Sequence, residues 1–244
     1  MNHRQMTLTA DLIAQVHRVV KDSGPLPGVS YQTENDYDCA VQETLATHPA
    51  GEDAWLFAYG SLIWKPEVEH VEERCGIARG WHRSFCYTVM RFRGTQDVPG
   101  LMMALDRGGQ CGGVLYRLPA DTLQEQLGKL FRREFNVKPA NTMPRWIAVA
   151  TNHGPVRAIT FVMNRKAHAY VGRITLEETA EILTKACGHW GSGADYLYNT
   201  VSRLEEHGIH DRNLWRLQHL VAASLTSNQV LESEVENTGI NAAR

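Results

Sequence analysis

Trp55-Leu56-Phe57-Ala58-Tyr59-Gly60-Ser61-Leu62-Ile63-Trp64 is the stretch from which the fold is best read. Its first residues are nearly all apolar and predict a buried strand. The strand runs straight into Tyr59-Gly60-Ser61-Leu62, where glycine permits a sharp turn. A glycine at positive φ carries no steric penalty, so successive N–H groups of such a turn point into one small concavity. A nest of this kind holds an anion, or an oxygen that becomes negative during a reaction.

The rest of the chain bounds the reading. At 244 residues it buries one sizeable core, with extensions. The composition is 43% hydrophobic and 21% charged, that of an ordinary globular protein. No apolar run approaches the roughly 20 residues that span a bilayer, and Met1–Thr7 lacks the basic-then-apolar pattern of a secretion signal. The chain therefore reads as cytoplasmic. Cys39, Cys75, Cys86, Cys111 and Cys187 form an odd set with no C-x-x-C pair, which predicts reduced thiols and no metal site. The net charge of −2 hides an uneven distribution: residues 1–53 are acidic and residues 54–227 carry an arginine surplus. That surplus suits small carboxylate ligands, because the guanidinium fork pairs with carboxylate. It falls short of the basic stripe of a nucleic-acid binder.

Turn and period signals divide the chain into 1–53, a helical extension and linker; 54–226, the main domain; and 227–244, an acidic disordered tail. In the extension, Leu12, Ile13, Val16, Val19 and Val20 repeat at helical spacing until Asp22–Pro27 stops the pattern. A second helix is predicted over about Asp36–Thr47. Strands are predicted at 54–59, 74–80, 83–92, 101–105, 111–118, 144–151 and 156–163, with glycine-rich turns between the middle ones. Three helices follow, the first opened by the capping box Thr175–Glu178. The fold class is α+β: a small curved or barrel-like mixed sheet with packed helices, plus the helical N-terminal extension. The extension carries none of the chemistry-bearing motifs, so a chain starting near Glu52 is expected to keep the catalytic residues.

One carboxylate stands on the wrong face. The helix between the two sets of strands, opened by Asp121 with Gln124 as its capping partner, has the apolar stripe Leu123, Leu127, Leu130 and Phe131. At about 100° per residue Glu134 falls about 20° from Leu123, in the middle of that stripe. Arg132 and Arg133 point to other faces. A carboxylate removed from water has a raised pKa and is either paired with a cation or set up as a general acid/base. Arg132, Arg133 and Arg145 are the sequence neighbours available for pairing. Ser61 lacks a nucleophile-elbow context, and no phosphate loop is present. One acid/base beside anion-holding amides suits an intramolecular reaction, in which the substrate brings its own nucleophile.

Tyr59–Trp64 followed by Gly80-Trp81-His82-Arg83-Ser84-Phe85, by Gly112–Pro119 and by Phe131-Arg132-Arg133-Glu134 resembles the ChaC family of γ-glutamylcyclotransferases, in order, from about Trp55 to Leu225. The resemblance implies a lyase without cofactor or metal. It would cleave glutathione to 5-oxoproline and cysteinylglycine, without nucleic-acid or membrane partners. It places the substrate loop on Tyr59, Gly60, Ser61 and Leu62 and the catalytic glutamate on Glu134. A substrate-side tyrosine falls on Tyr196, with Tyr198 two places away. Arg91 is a further candidate, for a substrate carboxylate, without a family motif to anchor it. The chain departs from the family pattern at Phe135–Pro144, which replaces a shorter turn and bears on leaving-group preference. Two alternatives stay open: a cyclotransferase for other γ-glutamyl amines or dipeptides, and a non-catalytic anion sensor on the same fold. Glu134 weighs against the sensor, since a carboxylate repels anions.

Overall fold

The structure, a computed structural model, describes residues 5–241, with side chains through residue 228. Helix α1 (Ala10–Val16) is capped by Thr9, whose hydroxyl accepts from the Leu12 amide. The apolar repeat predicted this helix as far as Val20, but it ends at Val16 and Val19 is 98% exposed. Two consecutive β-branched valines favour extended backbone, and Arg18 reaches away to donate to the Lys185 carbonyl. A two-residue strand β1 (Ser30–Tyr31) follows, then α2 (Glu34–Leu45), which opens on a full capping box between Thr33 and Asp36.

Strand β2 (Ala54–Ala58) leads into the single turn α3 (Ser61–Trp64). Next come the long strands β3 (Glu72–Val89) and β4 (Gly100–Leu118), helix α4 (Leu123–Glu134) and the short strand β5 (Val137–Lys138). Strands β6 (Thr142–Thr151) and β7 (Gly154–Met163) form the Asn152-His153 hairpin. Helix α5 (Leu176–Lys185), the two-residue strands β8 (Cys187–Gly188) and β9 (Gly191–Ser192), and helices α6 (Gly193–Glu206) and α7 (Arg212–Asn241) complete the chain.

The strands close into a barrel in the order β2-β4-β3-β6-β7, with β7 returning to β2 in parallel. Closure leaves no long unpaired edge. The predicted breaks within β3 and β4 are corrected: each is one bent strand. Gly80 (φ 80°) sits where the register shifts between Arg79 and Trp81, opposite Gly108 (φ 106°) and Gly109 (φ 66°). Glycines at positive φ form a β-bulge as readily as a turn, and here they bend a continuing pair around the barrel. Leu56, Phe57, Leu105, Leu115, Phe131 and Phe161 fill the interior and the α4 interface.

Two helix ends also differ from the sequence reading. Helix α4 has Thr122 rather than Asp121 at its N-cap, without a side-chain cap, because Gln126 takes the Thr122 hydroxyl as an acceptor. The disordered tail predicted from residue 227 is corrected as far as Asn241, since α7 continues through it with no proline to stop it. Residues 242–244 lie outside the described residues. All five cysteines are free. Among the described residues no helix is long and apolar enough to cross a membrane.

Candidate active site

The end of β2 leads through Tyr59 and Gly60 to Ser61, on the wall of a cavity of about 960 Å³. Gly60 is the N-cap of α3, and its carbonyl accepts from the Ile63 amide at 2.9 Å. Its φ is −140°, so the expectation of a positive-φ glycine is corrected. What requires glycine is close approach: a Cβ there would lie 2.7 Å from the Tyr196 hydroxyl. That hydroxyl accepts from the Ser61 amide at 3.2 Å. The amide of the predicted nest is thus partly engaged from within, and the phenol keeps its own hydrogen to donate. Of the four predicted loop residues only Ser61 lines the cavity. Tyr59 and Leu62 are buried, and the Tyr59 carbonyl is held by the buried Arg83 at 2.6 Å.

The two candidate tyrosines take different places. Tyr196 lines the cavity and is buried, edge-on to Trp64 and Phe85, whereas Tyr198 packs against the core elsewhere.

Glu134 ends α4 with its side chain on the cavity and 18% exposed. The stripe Leu123, Leu127, Leu130 and Phe131 buries the same face of the helix, so the carboxylate is carried to the barrel's mouth by the packing that holds α4 down. Burial pushes the Glu134 pKa up to about 7, against the pull of Arg133 and with a smaller push from Glu67. Arg133 does not face elsewhere as its helical position predicted. Its long side chain curls back, putting Nε 3.3 Å from Glu134 Oε1, while its other nitrogens reach the Lys65 carbonyl, Glu67 and, at 3.2 Å, the Ser61 hydroxyl. One shared, off-axis cation lowers the cost of the charged form without abolishing it. Arg132 turns to Glu34, and Arg145 lies over Trp81.

Burial raises the phenols of Tyr59, Tyr87 and Tyr196, and the nearby Glu134 carboxylate raises them further. They are neutral hydrogen-bond donors around one titratable acid.

Sequence reasoning missed Arg93. It is buried, lines the cavity, donates to the Ser192 carbonyl at 2.8 Å and Asp195 at 2.9 Å, and lies over the Tyr196 ring. Its partners lie a hundred residues away, so no local signal marks it. Arg91 also lines the cavity, but two of its donors are committed to Asp22 of the extension, Nε at 2.8 Å and Nη2 at 2.6 Å. The separation of extension from active domain is corrected as well: Leu26 and Gly28–Tyr31 line the same cavity as Glu134. The antiparallel pairing of β1 with β5 places them there.

The arrangement is chemically suited to an anionic ligand and to a proton transfer. Lys65, Arg91, Arg93, Arg133 and Lys138 outnumber the acidic groups on the lining, and Glu134 exchanges a proton near neutral pH. Among the described residues no group of His, Cys, Asp and Glu side chains is placed to hold a metal.

Residues 54–224 match the family model described as ChaC-like protein. Among curated proteins, the chain is 36% identical over 190 residues to the glutathione-specific γ-glutamylcyclotransferase of Escherichia coli, covering 78% of this chain and 81% of that one. It is 26% identical to the zebrafish (Danio rerio) glutathione-specific γ-glutamylcyclotransferase 1, covering 70% and 90%. The crystal structure of a yeast γ-glutamyl cyclotransferase specific to glutathione superposes with a TM-score of 0.63 at 22% identity, covering 69% of this chain and 95% of that one. That likeness establishes the barrel with its packed helices as a shared fold.

Proposed function

This chain belongs to the ChaC-like family, and from that premise and the cavity around Glu134 we propose that it is a glutathione-specific γ-glutamylcyclotransferase. The observation that carries the reading is the Glu134 carboxyl, raised to about 7, on the wall of a cation-rich cavity. Glutathione carries two carboxylates and one ammonium, so it is a net anion that the lining arginines and lysines attract.

The substrate's α-amine is the nucleophile. Ionised Glu134 takes a proton from the ammonium, and the freed nitrogen attacks the γ-carbonyl carbon. The ring C–N bond forms as the bond to the cysteinyl nitrogen breaks. Protonated Glu134 delivers its proton to that departing nitrogen, and the ring nitrogen then gives up its second proton through the same carboxylate to the released amine. The products are the neutral lactam of 5-oxoproline and cysteinylglycine as its ammonium form, with no water consumed. A general base working near neutral pH is most effective with a pKa close to that pH.

Positioning supplies a large share of the rate. Well-oriented intramolecular reactions save roughly 7–11 kcal/mol of barrier, and the cavity folds the γ-glutamyl arm towards its own carbonyl. Ser61 and the Tyr196 hydroxyl, both on the cavity wall, are the donors available to the oxygen that becomes negative. Each such donor contributes roughly 2.7–4 kcal/mol in comparable sites.

The test is incubation of the full chain with glutathione and, separately, γ-glutamyl-alanine, assaying 5-oxoproline. Glutathione is expected to be the preferred substrate. Preference for the dipeptide would assign another γ-glutamyl compound, and release from neither would leave a binding protein.

A further inference from the structure

Residues 22–31 form a strap along the cavity wall, fixed at both ends. At one end Asp22 grips Arg91 with both carboxylate oxygens, and His189 stands 3.6 Å from the same group. At the other, Ser30 and Tyr31 pair with Lys138 and Val137, and Gln32 donates to the Asn136 carbonyl at 2.9 Å and the Val137 carbonyl at 3.0 Å. Beyond that, Lys138 is ion-paired with Asp36.

Between its ends the strap is stiff. Pro25 and Pro27 fix two of its φ angles, the Leu26 amide donates to the Tyr31 hydroxyl at 2.7 Å, and the Val29 amide to the Leu26 carbonyl. Leu26 and Val29 are half-buried and line the cavity. The strap thus joins the wall bearing Arg91 and Arg93 to the segment that begins just after Glu134.

We propose that this strap is the leaving-group wall of the substrate site, and that Leu26 and Val29 select γ-glutamyl substrates whose leaving group extends beyond one residue. This rests on the cyclotransferase reading above. The γ-glutamyl end must reach Glu134 and Ser61, which the barrel and α4 supply without help from the extension. The remaining length of a tripeptide runs out under the strap, where apolar contacts and a preformed surface reward it. A γ-glutamyl dipeptide ends short of that wall and gains little from it. The extension is then a specificity element of the site.

The experiment compares the full-length wild type with the Leu26→Ser/Val29→Ser double variant on glutathione and γ-glutamyl-alanine. Both positions are partly exposed, so the fold tolerates the change. KM for glutathione is expected to rise about tenfold with kcat within about threefold, while both constants for the dipeptide stay within about twofold. Equal losses on the two substrates, or none on either, overturn the proposal. Wild type that releases 5-oxoproline from neither substrate fails the cyclotransferase reading instead, so the two failures are told apart.

A second measurement reads the strap without altering it. In the Glu134→Gln protein, which is expected to hold glutathione without consuming it, millimolar glutathione should slow tryptic cleavage after the exposed Lys21 at least fivefold. An unchanged cleavage rate overturns the proposal.

Discussion

Two carboxylates taken out of water sit in this protein with opposite consequences. Asp106, midway along β4, is 6% exposed. Its Oδ1 accepts from Arg165 at 2.6 Å and from the Arg107 amide at 2.8 Å, and its Oδ2 from the Tyr170 hydroxyl at 3.0 Å. Burial works to raise its pKa, but Arg165, the amide and the phenol overcome it and hold the carboxyl below the usual range. At the end of α4, Glu134 meets one cation at 3.3 Å, and there burial wins. Burial alone therefore does not make a functional acid. The number and geometry of donors decide, and a carboxylate given fewer than it could use is the one free to exchange its proton.

The widest separation between the two is expected in turnover. Glu134→Gln keeps the side chain's size and removes its proton chemistry, so kcat for 5-oxoproline release should fall about 10²–10⁴-fold, the range for a lost general acid/base. Glutathione binding, measured by calorimetry, should persist. Near-normal turnover in the folded variant would return Glu134 to the same class as Asp106.

The sign of the pH dependence sharpens the contrast. The unfolded chain releases the Glu134 proton near 4.5, while the native state holds it to about 7. Between those values the native state binds more protons, so this residue lowers stability as pH rises through the window. The loss is complete above about pH 7 and amounts to about 3 kcal/mol, at 1.36 kcal/mol per unit. Urea denaturation of wild type and Glu134→Gln at pH 4.5 and pH 8 should show the variant gaining on wild type by that order at the higher pH. Asp106 runs the other way, its contribution present at neutral pH and lost as pH falls through its lowered pKa. A variant that gains nothing at pH 8 would mean Glu134 is better compensated than the geometry around it allows.

Asp106→Asn then gives the reciprocal result. It leaves the cavity intact but weakens hydrogen bonds to a charged group, each worth about 1.5–3 kcal/mol. Thermal melting should show a stability loss of that order, with kcat within about threefold of wild type. A large fall in kcat without loss of stability would place Asp106 in the chemistry and dissolve the comparison.

What was legible in the sequence follows the same division between local and long-range causes. The burial of Glu134 was legible because a carboxylate inside an apolar stripe is a violation within one helix. The turn after β2 was legible for similar reasons, although glycine serves there to admit the Tyr196 hydroxyl and not to reach positive φ. The curl of Arg133 back to Glu134 was not legible, since helical periodicity fixes where a Cβ points and not where a long side chain ends. Arg93 and the strap were hidden for a stronger reason. Their partners, Asp195 for one and Arg91 and Val137 for the other, lie roughly seventy to a hundred residues away and are brought near only by barrel closure. Gly80, Gly108 and Gly109 misled because the same residues encode a turn and a bulge.

The smallest expected effect tests the loop against the glutamate. Ser61 contributes two different things to the cavity wall. Its amide donates to the Tyr196 hydroxyl, and its own hydroxyl accepts from Arg133 Nη2 at 3.2 Å. Ser61→Ala removes only the second. Arg133 then still holds the Lys65 carbonyl, Glu67 and Glu134, so the guanidinium stays in place and the carboxyl keeps its surroundings. A hydrogen bond to a charged group contributes about 1.5–3 kcal/mol, but the guanidinium keeps its other partners and the bond lies off the reacting atoms, so kcat/KM should fall by less than about tenfold. The acid limb of the pH–rate profile should stay near 7, because the charges around Glu134 are unchanged. A loss as deep as that of Glu134→Gln, together with a trapped γ-glutamyl ester on the wild-type serine, would make Ser61 a nucleophile. The chemistry would then lie on the loop and not on the carboxylate left short of donors.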